Sequence, residues 1–292
     1  MYPGVVSRCL REACLIIRTL LLVLALTSCG SGQPTSRDVV LATTTSVGNS
    51  GLLDVLLPAF QQQRTLQVRS HLVGSGLALR MLEKGDADIV ISHAPAAEAS
   101  ALRAHPNWRY RKIMVNDFVI VGPRDDPAHV KGASDAAIAM QRIAASGARF
   151  LSRGDQSGTH EREEALWLLA AARPGPDRLI VAGAGMGATL RVANETGAYT
   201  LTDRATFLQH AGTLQLIIVF DGGPPLMNTY AVIIDPSGPR APDAQVCFDW
   251  LSDGAGRRVI QDFRIRGVQA FLSWPEGQPR EDPHALPRSP DR

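Results

Sequence analysis

The sequence predicts an α/β protein whose helices pack on mostly parallel sheets. Three observations carry that prediction. Short apolar runs of strand length alternate with segments whose apolar residues recur every three to four positions. At 292 residues the chain has room for two domains, taking about 150 residues for each. Its 45% apolar and 20% charged residues give the balance of a globular chain. Lys plus Arg number 30 and Asp plus Glu 28, so there is no basic stripe and nucleic acid is not an expected partner.

Residues 1–28 read as an export signal with a lipobox. Arg8, Arg11 and Arg18 make a positive opening, diluted by Glu12, and residues 20–26 form an apolar core too short to span a bilayer. Leu26-Thr27-Ser28-Cys29 resembles the bacterial lipoprotein signal, in which the cysteine becomes the lipidated first residue. The alternative is an ordinary signal cleaved nearby, with Cys29 incidental. Residues 29–37, which include Gly30-Ser31-Gly32-Gln33-Pro34, have the composition of a flexible tether. Without residues 1–28, basic and acidic groups number 27 each, so the mature chain is neutral.

Of the 4 cysteines, Cys9 and Cys14 leave with the signal and Cys29 is acylated on this reading. Cys247 remains alone, which rules out an internal disulfide in the mature chain. It sits in a helical pattern between Val246 and Phe248, where a buried apolar role is expected. The 7 His never pair with Cys or each other at ligand spacing, so no metal cluster and no cofactor is expected.

The fold proper opens with a short apolar run at 38–42 that leads into Thr43-Thr44-Thr45-Ser46. A helix follows from about 49, with Leu52, Leu53, Leu56, Leu57 and Phe60 on one face. Pro58 falls inside it and is expected to kink or interrupt it. Residues 67–73 form the next strand, Leu77, Met81 and Leu82 mark a helix, and Ile89-Val90-Ile91 is a third, buried strand. Residues 115–122 carry the chain to a turn-rich junction at Pro123-Arg124-Asp125-Asp126-Pro127. A second set of elements follows. It has a helix at 135–145, a strand at 149–152, a helix opened by Ser157-Gly158-Thr159, and a strand at 179–181 feeding another helix. Strands at 199–201 and 214–220 lead to a second junction, Gly222-Gly223-Pro224-Pro225. A strand at 230–234 and helices at 241–252 and 254–263 complete the core. The stretch 276–292 has 4 prolines and almost no apolar residues, and is expected to be a disordered tail.

Four polar, glycine-rich segments each lie between a predicted strand and the start of a helix: 43–46, 74–76, 153–159 and 183–189. Ligands of α/β sheets bind at the carboxyl ends of strands. A helix N-terminus adds unpaired N–H groups and the positive end of a dipole, both favouring anions. The hydroxyls of Thr44, Thr45, Ser46, Ser75, Ser157, Thr159 and Thr189, with the backbone at Gly158, Gly187 and Ala188, therefore point to a ligand held by hydrogen-bond donors. Taken singly, the threonine run reads as strand residues meeting an N-cap, and Gly74-Ser75-Gly76 as a plain turn. The segment from Arg153 to Thr159 is more specific, because a cation, two hydroxyls and a glycine turn converge at one helix start. Glu161, Glu163 and Glu164 follow directly; they suit the helix dipole but oppose an anion, so they are expected to face solvent.

Two rival function classes attach to these segments. Residues 183–188 fit the G-x-G-x-x-G/A dinucleotide pattern, and Asp203 follows at the spacing of a ribose-binding acid, which would make an exported oxidoreductase. Asp155, Ser157 and His160 are neighbours in sequence, as a hydrolase would need, but without the G-x-S-x-G elbow. His93, in Ser92-His93-Ala94-Pro95, is expected to act behind the ligand groups.

Several segments resemble, in order, the tungstate-binding proteins of bacterial tungstate ABC importers. They are Thr43-Thr44-Thr45-Ser46 with 49–53, Gly85-Asp86-Ala87-Asp88 with His93-Ala94-Pro95, 116–123, 152–160, 185–190 and 197–204. The likeness runs from about 38 to 272. It implies a type II periplasmic binding fold, in which 38–122 plus 226–275 make lobe 1, 123–225 make lobe 2, and two crossover strands join them. It also implies an exported, non-catalytic protein on the periplasmic side of a membrane, anchored through Cys29 and delivering its ligand to the membrane permease of an ABC importer. The ligand would be tungstate in the interlobe cleft, with molybdate or phosphate as alternative oxyanions. Ligand roles pass to Thr44, Thr45, Ser46 and Arg153. Likeness to phosphate-binding relatives with an Arg-x-Asp-x-Ser-Gly-Thr pattern adds Ser157, Gly158 and Thr159. The phosphate analogy fails at Asp155: a carboxylate accepts a proton from hydrogen phosphate, whereas tungstate at neutral pH has none to give. Asp155 is expected to brace Arg153 instead.

Overall fold

The computed structural model describes residues 38–287. The expected signal, the tether, Cys29 and residues 288–292 lie outside them. The chain begins β1 (Val39–Thr44), α1 (Thr45–Asn49), α2 (Leu52–Gln63), β2 (Val68–Val73), α3 (Ser75–Lys84), β3 (Ile89–Ser92), α4 (Pro95–Ala104) and β4 (Arg109–Gly122). It continues α5 (Ala136–Ser146), β5 (Phe150–Ser152), α6 (Gly158–Ala170), β6 (Leu179–Val181), α7 (Met186–Thr196), β7 (Thr200–Asp203), α8 (Arg204–His210) and β8 (Ile217–Asp221). It closes with β9 (Met227–Ile234), α9 (Ala241–Ser252), α10 (Ala255–Asp262) and the short strands β10 (Arg264–Ile265), β11 (Val268–Gln269) and β12 (Leu272–Ser273).

Local sequence explains most boundaries. The single helix expected from about 49 is two, because Gly51 adopts a left-handed φ of 79° between α1 and α2. Pro58 does not interrupt α2, which runs on past it with the ring on the exposed face. Asp135, Ser157 and Asp203 cap α5, α6 and α8 through their side chains. Helices α4 and α8 had no expectation from the sequence.

The main sheet runs β12-β4-β9-β3-β1-β2. Parallel pairing joins β2–β1–β3 and β5–β6, with one further parallel bridge between Phe150 and Tyr199. The antiparallel pairs of β4 and β9 turn the expectation of mostly parallel sheets into a mixed arrangement. The reason lies in β4 and β9. The chain leaves along β4 and comes home along β9, so the two strands pair antiparallel, with Asp117 opposite Met227. The second half of β4 then pairs antiparallel with β7 and β8. Phe118–Val121 accordingly pack into the cores of the second set of elements, several residues before the junction at 123. No turn marks the crossing, because a single unbroken strand makes it.

The C-terminal segment through 287 is not the disordered tail its composition suggested. It lies along the edge of β4, below the stretch that β12 covers at Met114 and Val115. The Lys112 N–H donates to the Arg280 carbonyl at 2.8 Å, and Lys112 Nζ to the Pro283 carbonyl at 2.6 Å. Arg280 donates to the Ser252 carbonyl and to Asp253. The segment is held by hydrogen bonds to a strand edge, an attachment that apolar content does not register. Burial pushes Lys112 down to about 8. Cys247 is buried as expected, and burial pushes its thiol up to about 12.

Candidate anion-binding site between the lobes

Three buried residues of β5 deliver Arg153 to the end of the strand, where its side chain is 1% exposed. Gly154 and Gln156 both take left-handed φ values, 59° and 57°, and turn the chain back on itself. Ser157 then caps α6, its hydroxyl accepting the His160 N–H at 3.3 Å. Asp155 ties these parts together. One carboxylate oxygen accepts the Ser157 N–H at 3.2 Å and the other accepts from Arg153 Nη2, the bracing expected from the sequence.

That leaves Arg153 Nε and Nη1 buried with no hydrogen-bond partner, and the Thr159 hydroxyl likewise. The N–H groups of Gly158 and Thr159, in the first turn of α6, have no intrahelical acceptor either. A buried guanidinium with open donors beside a helix N-terminus is unfavourable unless an anion completes it. These residues fit a small oxyanion.

The opposite wall is His93, at the end of β3. A Cβ placed on Gly158 would sit 2.6 Å from the His93 carbonyl and 3.1 Å from its ring, so glycine is required for this approach. The His93 N–H donates to Ser75 Oγ at 3.3 Å. The Asn228 amide N–H groups go to Asn116 Oδ1 and the Tyr230 hydroxyl, so Asn228 Oδ1 accepts from His93 Nδ1 at 3.1 Å. The ring stacks on Tyr230 with centroids 4.9 Å apart. Burial, opposed by the Asn228 hydrogen bond and aided by the positive charges of Arg153 and Arg162, lowers His93 to about 4. The imidazole is therefore neutral and acts as a wall behind the donors. Asn116, Asn228 and Tyr230 were missed from the sequence, because polar residues inside strands carry no local motif.

Thr44, Thr45 and Ser46 form the start of α1. Thr44 caps it, accepting the Val47 N–H at 3.4 Å, and Thr45 and Ser46 present first-turn N–H groups. Thr45 stands against Gly185 of the other lobe, with 3.9 Å between its Oγ1 and a Cβ placed there. Gly187 faces His210 and Asn49. So 44–46, Ser75, 153–159 and the start of α7 converge on one seam.

Two expected donors are already engaged. The N–H groups of Ala188 and Thr189 both donate to the Gly185 carbonyl, at 3.0 and 3.1 Å. The Thr189 hydroxyl donates to the carbonyls of Ala184 and Gly185. Both residues lie one step too far into the helix, where intrahelical bonding begins, and only Gly187 of that trio keeps a first-turn N–H available.

The glutamates also depart from expectation. Glu164 pairs with Arg173 at the surface. Glu163 instead is 1% exposed and accepts the Arg153 N–H at 3.1 Å, because helix side chains lean toward the N-terminus. Burial raises its carboxyl. Glu161 crosses the seam and accepts the Ala96 N–H of α4 at 3.3 Å. As for the hydrolase reading, the His160 ring accepts the Gln156 N–H and is not hydrogen-bonded to the Ser157 hydroxyl. Asp203, the acid of the dinucleotide reading, caps α8.

A family model described as a PBP superfamily domain matches residues 30–274. The tungstate-binding protein TupA of Peptoclostridium acidaminophilum is 36% identical over 266 residues, covering 85% of this chain and 92% of that protein. A putative ABC transporter anion-binding protein of Haloferax volcanii is 38% identical over 253 residues, 83% of this chain and 73% of that protein. The crystal structure of the tungstate ABC transporter from Geobacter sulfurreducens superimposes with a TM-score of 0.71 at 38% identity, covering 78% of this chain and 99% of that one.

Proposed function

The chain belongs to the PBP superfamily, the periplasmic binding proteins, and on that premise we propose that it captures tungstate between its lobes for an ABC importer. The observation that carries the reading is Arg153, fully buried at the seam with two N–H donors open beside the first turn of α6. In the proposed complex Arg153 gives Nε–H and Nη1–H, Thr159 its hydroxyl, and Thr45, Ser46, Gly158 and Gly187 their first-turn N–H groups. Thr44, Ser75 and Ser157 shape the loops that aim them.

Hydrogen bonds to a charged group contribute roughly 1.5–3 kcal/mol each. Five or six reach the roughly 12 kcal/mol of nanomolar binding after the cost of closing the lobes. Tungstate, molybdate and sulfate share charge and shape, so choice among them rests on cavity size, with molybdate the near competitor. No reacting nucleophile and base are paired at this seam, and the proposed role is binding without catalysis. Export, with Cys29 acylated and the protein tethered at the membrane beside its permease, completes the proposal.

Calorimetry of the mature protein with tungstate, molybdate, sulfate and phosphate tests it. Tight tungstate binding is expected; binding of NAD with none of any oxyanion would overturn it. Fatty-acid labelling that disappears in Cys29→Ser tests the anchor, and an unlabelled wild type would refute it.

A further inference from the structure

Asp203 is a second ionisable group at the seam, and nothing so far gives it a ligand role. It ends β7, is wholly buried, and caps α8 by accepting the Thr206 N–H on Oδ1 at 2.9 Å. Its other oxygen, Oδ2, is buried with no hydrogen-bond donor and no ion pair.

Its position is set by both lobes. Asp203 is the register partner of Phe118, whose ring lies 6.3 Å from the His93 ring between centroids. Two residues on, Ala205 packs in the core of the first lobe with Val47 of α1. The charge of Arg153 reaches the Asp203 carboxyl, and that of Asp203 reaches the Tyr230 phenol. Asp203 thus lies among the elements that bring Arg153, His93 and the α1 loop together.

An ionised carboxylate there would need compensation that these surroundings lack. Arg153 pairs with Asp155 through Nη2 and, on the reading above, turns its open Nε–H and Nη1–H to the anion, while Arg204, the next residue, pairs with Asp117 and Asp221. From the other elements β9 brings Tyr230 and β3 the neutral His93, while α1 brings only Thr45, Ser46 and Asn49, and the start of α7 no ionisable group. His210, at the far end of α8, is pushed down by burial. The Thr206 N–H and hydroxyl, the residue's own N–H and the charge of Arg153 all favour the ionised form, but they do not offset the desolvation of a wholly buried carboxylate. Burial accordingly pushes the Asp203 carboxyl up.

We propose that Asp203 keeps its proton in the closed protein and donates Oδ2–H to the bound oxyanion, making it the residue that selects fully deprotonated oxyanions. The inference rests on the oxyanion-binding reading above. A neutral carboxyl donates to tungstate, molybdate or sulfate, whereas an ionised one would repel them and accept a proton from hydrogen phosphate or hydrogen arsenate. The proton stays on Oδ2 throughout, and no covalent step is involved.

The test is tungstate calorimetry on wild type, Asp203→Ser and Asp203→Asn, with infrared difference spectra of the tungstate-bound and free forms. Serine keeps a capping oxygen but cannot reach the anion, and is expected to weaken binding more than about tenfold. Asparagine keeps the cap and supplies an N–H donor, and is expected to rescue most of that loss. The wild-type spectrum should show a neutral-carboxyl C=O stretch that shifts on binding and is missing from Asp203→Asn. Serine binding like wild type, asparagine binding more than about tenfold tighter or failing to rescue, or no such band, would each overturn the proposal. Should the wild type bind no oxyanion at all, the parent reading fails instead.

Discussion

The turns at 153–159 and 183–189 look alike in sequence, both rich in glycine, both following a strand and both opening a helix. In the folded chain they differ in what they leave available. The first keeps Arg153 Nε, Nη1 and the Thr159 hydroxyl open; the second folds the Thr189 hydroxyl and the Ala188 and Thr189 N–H groups back onto its own carbonyls. The first is braced by the Asp155 carboxylate within it and by Glu163 from the helix that follows, which accept the N–H groups of Ser157 and Arg153. A glycine-rich turn is therefore a site only to the extent that its donors remain uncommitted.

Substitutions can break that contrast. Arg153→Glu places a carboxylate against a dianion in the seam, and tungstate affinity should fall by more than about a thousandfold by calorimetry. Arg153→Lys, which keeps charge but loses the planar fork, should fall between that variant and wild type. If Arg153 only holds its loop, the lysine variant will bind like wild type.

Acid should separate the two turns next. His93 backs the first turn and burial lowers it to about 4, whereas His210 stands beside the second, only partly buried, and burial lowers it too. A base whose folded value lies below its unfolded 6.5 is protonated first in the unfolded chain. Its contribution is fully present above pH 6.5 and lost as pH falls toward 4. The full span corresponds to about 3 kcal/mol. Urea denaturation at pH 7 and pH 4.5 should show most of this loss, His93→Asn should flatten it, and His210→Asn should leave it.

Smaller effects sharpen the comparison. Gly158→Ala would press a methyl against the His93 carbonyl, a backbone atom that cannot yield, so the lobes must part. Tungstate affinity should drop by about thirtyfold, roughly 2 kcal/mol, while the ligand-free melting temperature stays put. Thr159→Val, removing an open hydroxyl, should weaken binding about tenfold. Thr189→Val should leave affinity within about twofold and cost about 1 kcal/mol of stability, since its hydroxyl serves the loop.

What the sequence disclosed follows the reach of local rules. Strand-to-helix loops, caps and the Arg153–Asp155 brace are written in adjacent residues, and each appears where those residues placed it. Asn116 and Asn228 were invisible because their meaning lies in each other, across two strands that cross between lobes. Glu163 was misjudged for a similar reason: its partner, the Arg153 N–H, lies on the preceding strand's exit, and composition favours solvent for any glutamate. The segment through 287 misled because its attachment runs through backbone carbonyls of Arg280 and Pro283.

The return of β9 has a consequence for how the chain is made. β9 lies between β3 and β4 in the main sheet, yet the whole second lobe is synthesised before it. Until it inserts, β3 is an unpaired apolar edge, a template for aggregation. Bringing Met227 back to Asp117 across so long a loop costs about 4 kcal/mol in chain entropy, which prior folding of the second lobe would largely remove. Refolding should therefore begin in the second lobe, with the first lobe's amides gaining exchange protection last.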